Sequence, residues 1–306
     1  MPKINVERSV TINANRSTVF ASLRDFRQWP VWSPWLICEP DCQLQYDDDG
    51  KRYSWDGKII GAGQMQVEQE LPDEKIAYQL TFFKPFKSTA SVRFELKETE
   101  GGTQVSWIMN SSLPFFMFFF KNMMTGMIGM DYDRGLQMLK DYIEMGSVPT
   151  SLEVLGETSF SGYHYFGIRT QCAMKDVGPK MEADFSSLNE KLAAAGIQPT
   201  TKPFSIYHEW SFGKGTVEYT IGFPVEAGKA IPDGLISGNM PDCKVYTIKH
   251  TGPYRHLGNP WSAGYMRQQA KMFKMNKGMH PFEVYENDPR KTAENELVTL
   301  INFPVK

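Results

Sequence analysis

The residues best placed to do chemistry are a carboxylate and a tyrosine on one short strand, Pro281-Phe-Glu-Val-Tyr285. Successive side chains of a strand point to opposite faces, so Glu283 and Tyr285 share one face while Phe282 and Val284 share the other. Among aromatic rings, a buried carboxylate would have its pKa raised by desolvation, and it could attract a cation or act as a general acid or base. From the residues alone the alternative, that Glu283 faces solvent as most glutamates do, stays open.

The same strand pattern occurs earlier in the chain as Pro203-Phe-Ser-Ile-Tyr207, about 80 residues away. Thr220-Ile-Gly-Phe-Pro-Val225 reappears at a similar spacing as Leu300-Ile-Asn-Phe-Pro-Val305. Ser205 stands where the second copy has Glu283. We expect the two copies to pair about a pseudo-twofold axis. The cleft between them would then carry a carboxylate on one side only, which favours an asymmetric ligand.

Aromatic side chains are concentrated in the second half of the chain. Rings beside one carboxylate suit flat or cationic organic molecules, through stacking and cation–π attraction. Many of these rings must be core, and we expect only some of them to contact a ligand. The candidates for ligand contact, with Glu283, are Tyr165, Trp210, Tyr219, Tyr254, Trp261 and Tyr285.

Other kinds of site have no support in the sequence. The five histidines lack the HxxxH and HExxH spacings, and the four cysteines form no CxxC pair. A GxSxG elbow, a phosphate loop and a dinucleotide fingerprint are also absent. We therefore expect neither a metal nor a cofactor, and Glu283 is the one tentative catalytic residue.

Charge and composition restrict the partners. A formal charge of −2 gives no broad positive field, so we expect no direct binding to nucleic acid. The polar N-terminus has no apolar stretch of a signal peptide, and unpaired cysteines suit a reducing compartment. We expect a cytoplasmic protein that binds a small molecule, with a homodimer left open.

The helices and strands predicted from the sequence fall into two groups. The sequence pattern changes between them, near Gly146-Ser-Val-Pro-Thr150. Before this point β-branched and aromatic residues alternate between turn signals, which predicts an antiparallel sheet. Two short helical pieces are predicted early, around 17–26 and 29–35. Leu136, Leu139 and Ile143 recur at helical spacing and predict a long helix that begins properly at about Asp131.

The first half resembles the SRPBCC superfamily, the START-like or polyketide-cyclase helix-grip fold. The resemblance covers roughly residues 3–146 and rests on ANRSTVFASLRDFRQWPVWSPW, on the run from GAGQMQVEQEL to SVRFEL, and on GMDYDRGLQMLKDYIE. It implies an antiparallel sheet wrapped on a long C-terminal helix, with an apolar cavity between them. It implies no reaction, because this fold serves carriers, receptors and cyclases alike.

The second half resembles the GyrI-like family, the effector-binding domain of AraC-type and multidrug-sensing bacterial regulators. Lys249-His-Thr-Gly-Pro-Tyr254, Pro281-Phe-Glu-Val-Tyr285 and the ending Glu296 to Lys306 carry the resemblance. It implies a small-molecule cleft formed by two β-α-β-β units. One departure is that the closing strand reads Thr299-Leu300-Ile301, so an acid that some members have at the middle position is absent.

Together these patterns predict an α+β fold with two domains, at residues 1–148 and 149–306. The repeats of the second domain would span about 157–226 and 243–306.

The stretch LPFFMFFFKNMMTGMIGM at 113–130 is unusually apolar. Pro114, Lys121 and two glycines interrupt it, so stable membrane insertion is not expected. Eight of the seventeen methionines lie between Met109 and Met145, and flexible thioethers suit a surface that repacks around apolar partners. Three uses stay open, in this order: a cavity lid, an interface with the second domain or another subunit, and transient membrane contact.

Two functions remain in view. In the first, the chain is a binding or sensing protein, with an aromatic or cationic ligand in the GyrI-like cleft and an apolar ligand in the helix-grip cavity. In the second, it is an enzyme, a hydrolase or cyclase that uses Glu283 as general acid or base on a small organic substrate.

Overall fold

A computed structural model describes residues 3–85, 87–112 and 119–306 of the chain. The chain divides into two compact units. The first comprises Met1–Pro149 with Arg255–Ala270, and the second comprises Thr150–Tyr254 with Lys271–Lys306. The predicted domain boundary at 148 stays a prediction, and the inclusion of Arg255–Ala270 in the first unit was not foreseen from the sequence.

The first unit is built on a seven-stranded antiparallel sheet over the described residues, in the order β1-β7-β6-β5-β4-β3-β2. Its strands are β1 (Lys3–Ile12), β2 (Gln43–Tyr46), β3 (Arg52–Asp56), β4 (Ala62–Leu71), β5 (Lys75–Lys84), β6 (Ser88–Thr99) and β7 (Gly102–Ser112). Strands β2 and β3 were missed from the sequence, because they are only four and five residues long.

Two helices pack on this sheet. Helix α1 (Arg16–Arg24) begins where the Asn15 side chain accepts a hydrogen bond from the Thr18 amide, 2.8 Å away. Helix α2 (Lys121–Met145) ends at Gly146, whose φ of 77° is in the left-handed region that glycine tolerates. The predicted start of α2 near Asp131 was wrong, since the helix begins ten residues earlier, within the Phe/Met-rich stretch.

Aromatic rings fill the space between the sheet and α2. Trp107 on β7 stacks on Tyr132 of α2 with ring centroids 4.0 Å apart, and Phe94 stacks on the other side of Trp107 at 4.8 Å. Gly135 lets the helix approach, because a Cβ there would lie 2.6 Å from the Trp107 ring. Trp29 and Trp32 are also fully buried among these rings. We call Trp29, Phe94, Trp107 and Tyr132 the grip cluster.

Helix α4 (Gly258–Gln269) belongs to the first unit. Arg134 of α2 donates to the Asn259 side chain at 2.8 Å, and Arg267 donates to the Cys38 carbonyl at 2.8 Å. Just before α4, His256 Nε2 lies 2.7 Å from the buried carboxylate of Asp141. These polar contacts, with the apolar side chains of α4, explain why it packs with α2.

The second unit contains an eight-stranded antiparallel sheet over the described residues, in the order β12-β9-β11-β10-β14-β15-β13-β8. Its strands are β8 (Ser151–Phe160), β9 (Tyr163–Ala173), β10 (Phe204–Ser211), β11 (Thr216–Pro224), β12 (Ile236–Met240), β13 (Cys243–Thr251), β14 (Phe282–Tyr285) and β15 (Val298–Pro304). Helix α3 (Val177–Ala194) connects β9 to β10 and packs on β9 and β11.

The inner six strands of this sheet, in the order β9-β11-β10-β14-β15-β13, are arranged symmetrically about the centre of the sheet. β9, α3, β10 and β11 make the first predicted repeat, and β13, α4, β14 and β15 make the second. The two copies meet at β10 and β14, the strands that carry the repeated Pro-Phe-x-x-Tyr pattern. The predicted α+β class and the duplicated β-α-β-β order are confirmed.

No helix within the described parts of the chain is long and apolar enough to cross a membrane.

Candidate functional site

Ser205 and Glu283, which are equivalent positions of the two repeats, lie directly opposite each other. Ser205 on β10 pairs with Glu283 on β14, at the centre of the sheet of the second unit. Because side chains two residues apart on a strand share a face, Tyr207 and Tyr285 lie on the same face as this pair. The pseudo-twofold relation thus places one serine, one carboxylate and two equivalent tyrosines together.

Glu283 is buried, with 1% of its surface exposed. Its Oε2 atom accepts a hydrogen bond from the Tyr285 hydroxyl at 2.6 Å and another from the Tyr207 hydroxyl at 3.1 Å. The open alternative of a solvent-facing Glu283 is therefore wrong. Tyrosines from both copies converge on the carboxylate that only the second copy has.

Ser205 completes a short chain of hydrogen bonds. Its Oγ lies 2.7 Å from the Tyr285 hydroxyl. Since Tyr285 donates its one proton to Glu283, Ser205 donates to Tyr285. Ser205, the first repeat's equivalent of Glu283, therefore donates a hydrogen bond to Tyr285 of the second repeat.

Electrostatics keep the surrounding phenols protonated. Burial first, and then the charge of Glu283, hold the pKa of both Tyr207 and Tyr285 well above its ordinary value. At the edge of the cluster, burial and the charge of Glu283 raise the pKa of Tyr254 to about 12. Protonated phenols can donate hydrogen bonds, so the cluster is suited to an ionised carboxylate.

Further rings pack around the two tyrosines. Trp210 stacks on Tyr207 with centroids 5.4 Å apart and planes within 15°. Tyr254 and Phe185 each contact Tyr285 edge to face at 5.7 Å. Trp210 and Phe185 are half-buried and Tyr254 is 36% exposed, so this aromatic surface extends from the buried carboxylate towards solvent. We call Tyr207, Trp210, Tyr254, Tyr285 and Glu283 the carboxylate cluster.

Phe185 was not among the sequence-predicted site residues. It lies on α3, where its spacing with Leu188 and Leu192 indicates only one apolar face of a helix. Its half-burial and its contact with Tyr285 depend on how α3 crosses the sheet, which the sequence does not show.

Tyr219 lies on the same face but is held by a second carboxylate. Its hydroxyl donates to Asp184 at 2.8 Å, Thr170 donates to the same carboxylate at 2.7 Å, and Lys180 lies 3.0 Å from it. Burial and the charge of Asp184 raise the pKa of Tyr219. Asp184 was not predicted from the sequence. Its hydrogen bonds hold α3 against β11.

Two further predicted ligand contacts, Tyr165 and Trp261, lie on other elements. The register of β9, β11 and β10 puts Tyr165 on the opposite face of the sheet from Glu283, where its ring packs against Phe204 at 5.0 Å. Trp261 lies in α4 of the first unit and stacks on Tyr265 at 6.0 Å. Tyr165 therefore lies on the sheet face away from the carboxylate cluster, and the ligand role of Trp261 stays a prediction.

The missing acid of the closing strand does not bear on this cluster. Leu300 pairs with Val284, on the opposite face of the sheet from Glu283. An acid at that position would not face the two tyrosines.

Comparison with known proteins matches two families. Residues 3–144 match the family described as polyketide cyclase, dehydrase and lipid transport, and residues 158–306 match the GyrI-like small molecule binding domain. No curated protein matches the chain.

Several solved structures resemble parts of the chain. An EcmrR–DNA complex is 17% identical with a TM-score of 0.45, covering 58% of this chain and 66% of that one. The protein SAV2435, bound to tetraphenylphosphonium, is 13% identical over 49% of this chain and 92% of that one, with a TM-score of 0.38. The Aha1 dimer from Colwellia psychrerythraea is 16% identical over 47% of this chain and 98% of that one, with a TM-score of 0.35.

The predicted fusion is confirmed: residues 3–144 carry a domain of the polyketide cyclase, dehydrase and lipid transport family, and residues 158–306 carry a GyrI-like small molecule binding domain.

Proposed function

We propose that the GyrI-like domain captures lipophilic organic cations at the carboxylate cluster. The observation that carries this proposal is the burial of Glu283 among aromatic rings with two tyrosine hydroxyls on one of its oxygens. The chain would act as a binding or sensing protein for such compounds.

The charge of Glu283 gives the site its preference. Burying an ionised carboxylate costs free energy, and hydrogen bonds from phenols offset that cost in part. A bound cation would offset it further through direct attraction, which is strong where water is excluded. A neutral ligand of the same shape would gain nothing from the charge.

The rings supply the second half of the recognition. Trp210 and Tyr254 are partly exposed, and each packs against a tyrosine that bonds Glu283. An organic cation over such rings gains cation–π attraction and buries its apolar surface. Recognition by rings and one charge favours cationic compounds with aromatic substituents over small hydrophilic ions.

Titration calorimetry tests the proposal with tetraphenylphosphonium and the neutral triphenylphosphine oxide. We expect the wild-type chain to bind the cation at least tenfold more tightly than the neutral compound, and Glu283→Gln to remove that preference. Asp184→Asn is the matched control, because Asp184 is a buried carboxylate bonded by a tyrosine on the same face. Equal loss of cation affinity in both variants would contradict the role of Glu283.

A catalytic role is the second proposal, and the chain Ser205–Tyr285–Glu283 favours it. On an epoxide, Glu283 would take a proton from water as the water attacks a ring carbon, and Tyr285 would donate its proton to the ring oxygen as the C–O bond breaks. Glu283 would then return a proton to Tyr285. Styrene oxide is a suitable probe, with diol formation as the readout. If the site is catalytic, Glu283→Gln should reduce turnover by a factor of about 10²–10⁴ while neutral ligands still bind. If the wild-type chain forms no diol above the uncatalysed rate, this proposal is wrong for epoxides.

An apolar ligand in the helix-grip domain is a separate proposal. The grip cluster packs between the sheet and α2, and a ligand that entered beside it would contact the stacked rings of Trp107 and Tyr132. Native mass spectrometry of the purified chain tests this, since a retained lipid adds a defined mass. A protein that carries no added mass, and whose tryptophan emission does not change with added fatty acid, would rule this ligand class out.

A further inference from the structure

Several exposed residues lie at one end of the sheet of the first unit. Lys3, at the start of β1, pairs with Ser112 at the end of β7, and Phe82, near the end of β5, pairs with Ser88 at the start of β6. Ser111 on β7 also bonds the Thr89 carbonyl of β6. The β5–β6 hairpin and the start of β1 are therefore at the same end of the sheet.

The N-terminal half of α2 reaches this same end. The helix runs alongside β1 in the same direction, as contacts from Asp133 to Arg8 (3.0 Å) and from Lys140 to the Thr11 carbonyl (2.6 Å) show. Lys121 precedes Asp133 by twelve residues, a helical rise of about 18 Å. Lys3 precedes Arg8 by five residues, about 17 Å of strand. Lys121 and Lys3 therefore lie at about the same position along the direction of β1.

Large apolar side chains are exposed at this end. Phe120 is 51% exposed and Phe119 is 89% exposed. Along α2 the exposed methionines follow a spacing of three or four residues, which places them on one side of the helix. A group of large exposed apolar side chains at one end of a domain is typical of an interaction site. We call this set the Phe/Met end: Phe83, Phe119, Phe120, Met123, Met127 and Met130.

Positive charge surrounds the Phe/Met end. Lys3, Lys84 and Lys87 are exposed, and Lys121 lies within the apolar set. Asp56 is the acid at the same end that pairs with one of them, Lys84, at 3.0 Å. At the far edge of the sheet, the negative charge of exposed Asp41 balances the positive charge of exposed Lys58. A positive excess therefore coincides with the apolar surface.

We propose that the Phe/Met end docks on the surface of a bilayer that contains anionic lipids. Phenylalanine and methionine side chains would enter the boundary between headgroups and acyl chains, and the lysines would contact lipid phosphates. The contact is interfacial, in agreement with the finding that no helix within the described residues can span a membrane.

A second copy of the chain fits this surface less well than a bilayer does. A twofold dimer through the Phe/Met end would bring its lysines towards those of the partner, and like charges across an interface are unfavourable. An anionic bilayer satisfies both the apolar surface and the charge. This inference is independent of what the carboxylate cluster binds.

Co-sedimentation of the full chain with vesicles tests the proposal. We expect binding to vesicles of equal parts phosphatidylglycerol and phosphatidylcholine, weaker binding to phosphatidylcholine alone, and weakening by added sodium chloride. Phe120→Ser should weaken binding about tenfold. Lys87→Gln and Lys121→Gln should each weaken it about fivefold.

Matched controls lie at the opposite end of the same sheet. Leu71 is 50% exposed at the end of β4, and Lys97 is exposed near the end of β6. Leu71→Ser and Lys97→Gln should leave vesicle binding unchanged, and circular dichroism melting should show that all variants fold.

Either of two results would overturn the proposal. One is wild-type protein that stays in the supernatant with anionic vesicles, or whose binding the control variants reduce as much as Phe120→Ser does. The other is a concentration-dependent dimer in sedimentation velocity that Phe120→Ser dissociates, which would assign this surface to self-association.

Discussion

The grip cluster and the carboxylate cluster are both rich in aromatic rings, yet they differ in what the rings contact. In the grip cluster the rings pack on one another, and Trp107 lies between Phe94 and Tyr132. In the carboxylate cluster two tyrosines direct their hydroxyls at one buried charge, and their neighbours Trp210 and Tyr254 are partly exposed. Aromatic content alone therefore does not identify a ligand site. The proposed ligand site rests instead on a buried charge with an exposed aromatic border.

The largest expected difference between the clusters concerns stability. Trp107→Ala should lower the free energy of unfolding by about 3–5 kcal/mol, because it removes a fully buried ring and leaves a cavity. Trp210→Ala should cost about 1 kcal/mol, since that ring is half-buried. Urea unfolding measures both. If the two substitutions cost the same, the distinction between core and site rings is wrong.

A smaller difference is expected for single hydroxyl groups. Tyr285→Phe removes a 2.6 Å hydrogen bond to the Glu283 carboxylate and should cost about 1.5–3 kcal/mol if Glu283 is ionised. Tyr78→Phe, in the core of the first unit, removes a 2.9 Å bond to the neutral Leu23 carbonyl and should cost about 1 kcal/mol. Equal costs in urea unfolding would indicate that Glu283 is neutral.

The pseudo-twofold relation of the repeats makes a third prediction. Glu283→Ser should weaken the binding of tetraphenylphosphonium about tenfold or more. Adding Ser205→Glu should restore most of the affinity, because residue 205 lies opposite residue 283 and both tyrosines are within the same cluster. Calorimetry of the single and double variants measures this, and Ser205→Ala alone provides the comparison. A double variant as weak as Glu283→Ser would show that the two positions are not interchangeable.

The smallest expected effect is on alkaline stability. Tyr254 has a pKa of about 12 in the folded chain, above the ordinary value of 10, because of burial and the charge of Glu283. The folded protein therefore holds this proton more tightly than the unfolded chain does. The resulting stability is fully present below pH 10 and is lost as the pH rises towards 12.

Urea unfolding between pH 9 and pH 12 tests this effect. Tyr254→Phe should lose less stability over that range than the wild-type chain does. If Tyr254→Phe follows the wild-type curve, Tyr254 does not titrate as described.

Much of the fold could be predicted from the sequence, because most strands alternate with a period of two and the repeat aligns the strands of the second unit. The exceptions have physical causes. β8 and β12 are edge strands with few buried side chains, so they lack alternation. The first ten residues of α2 contain Gly126 and Gly129, which weaken the helical pattern.

Less of the candidate site could be predicted. The period of two placed Glu283 and Tyr285 on one face, and the structure joins them by a hydrogen bond. The convergence of Tyr207 depends on the register between β10 and β14, which the repeat suggests but does not fix. The position of Tyr165 depends on the register of β9, and the placement of α4 depends on contacts such as Arg134 with Asn259, 125 residues apart. The ligand roles of these residues stay predictions.

A crystal structure of the chain with tetraphenylarsonium tests the central claim most directly, since arsenic can be located by its anomalous scattering. The account predicts one strong arsenic peak beside the Glu283 carboxylate, with ligand rings within about 6 Å of the Tyr207, Trp210 or Tyr254 ring centroids. An arsenic peak elsewhere on the protein, with none at Glu283, would contradict it.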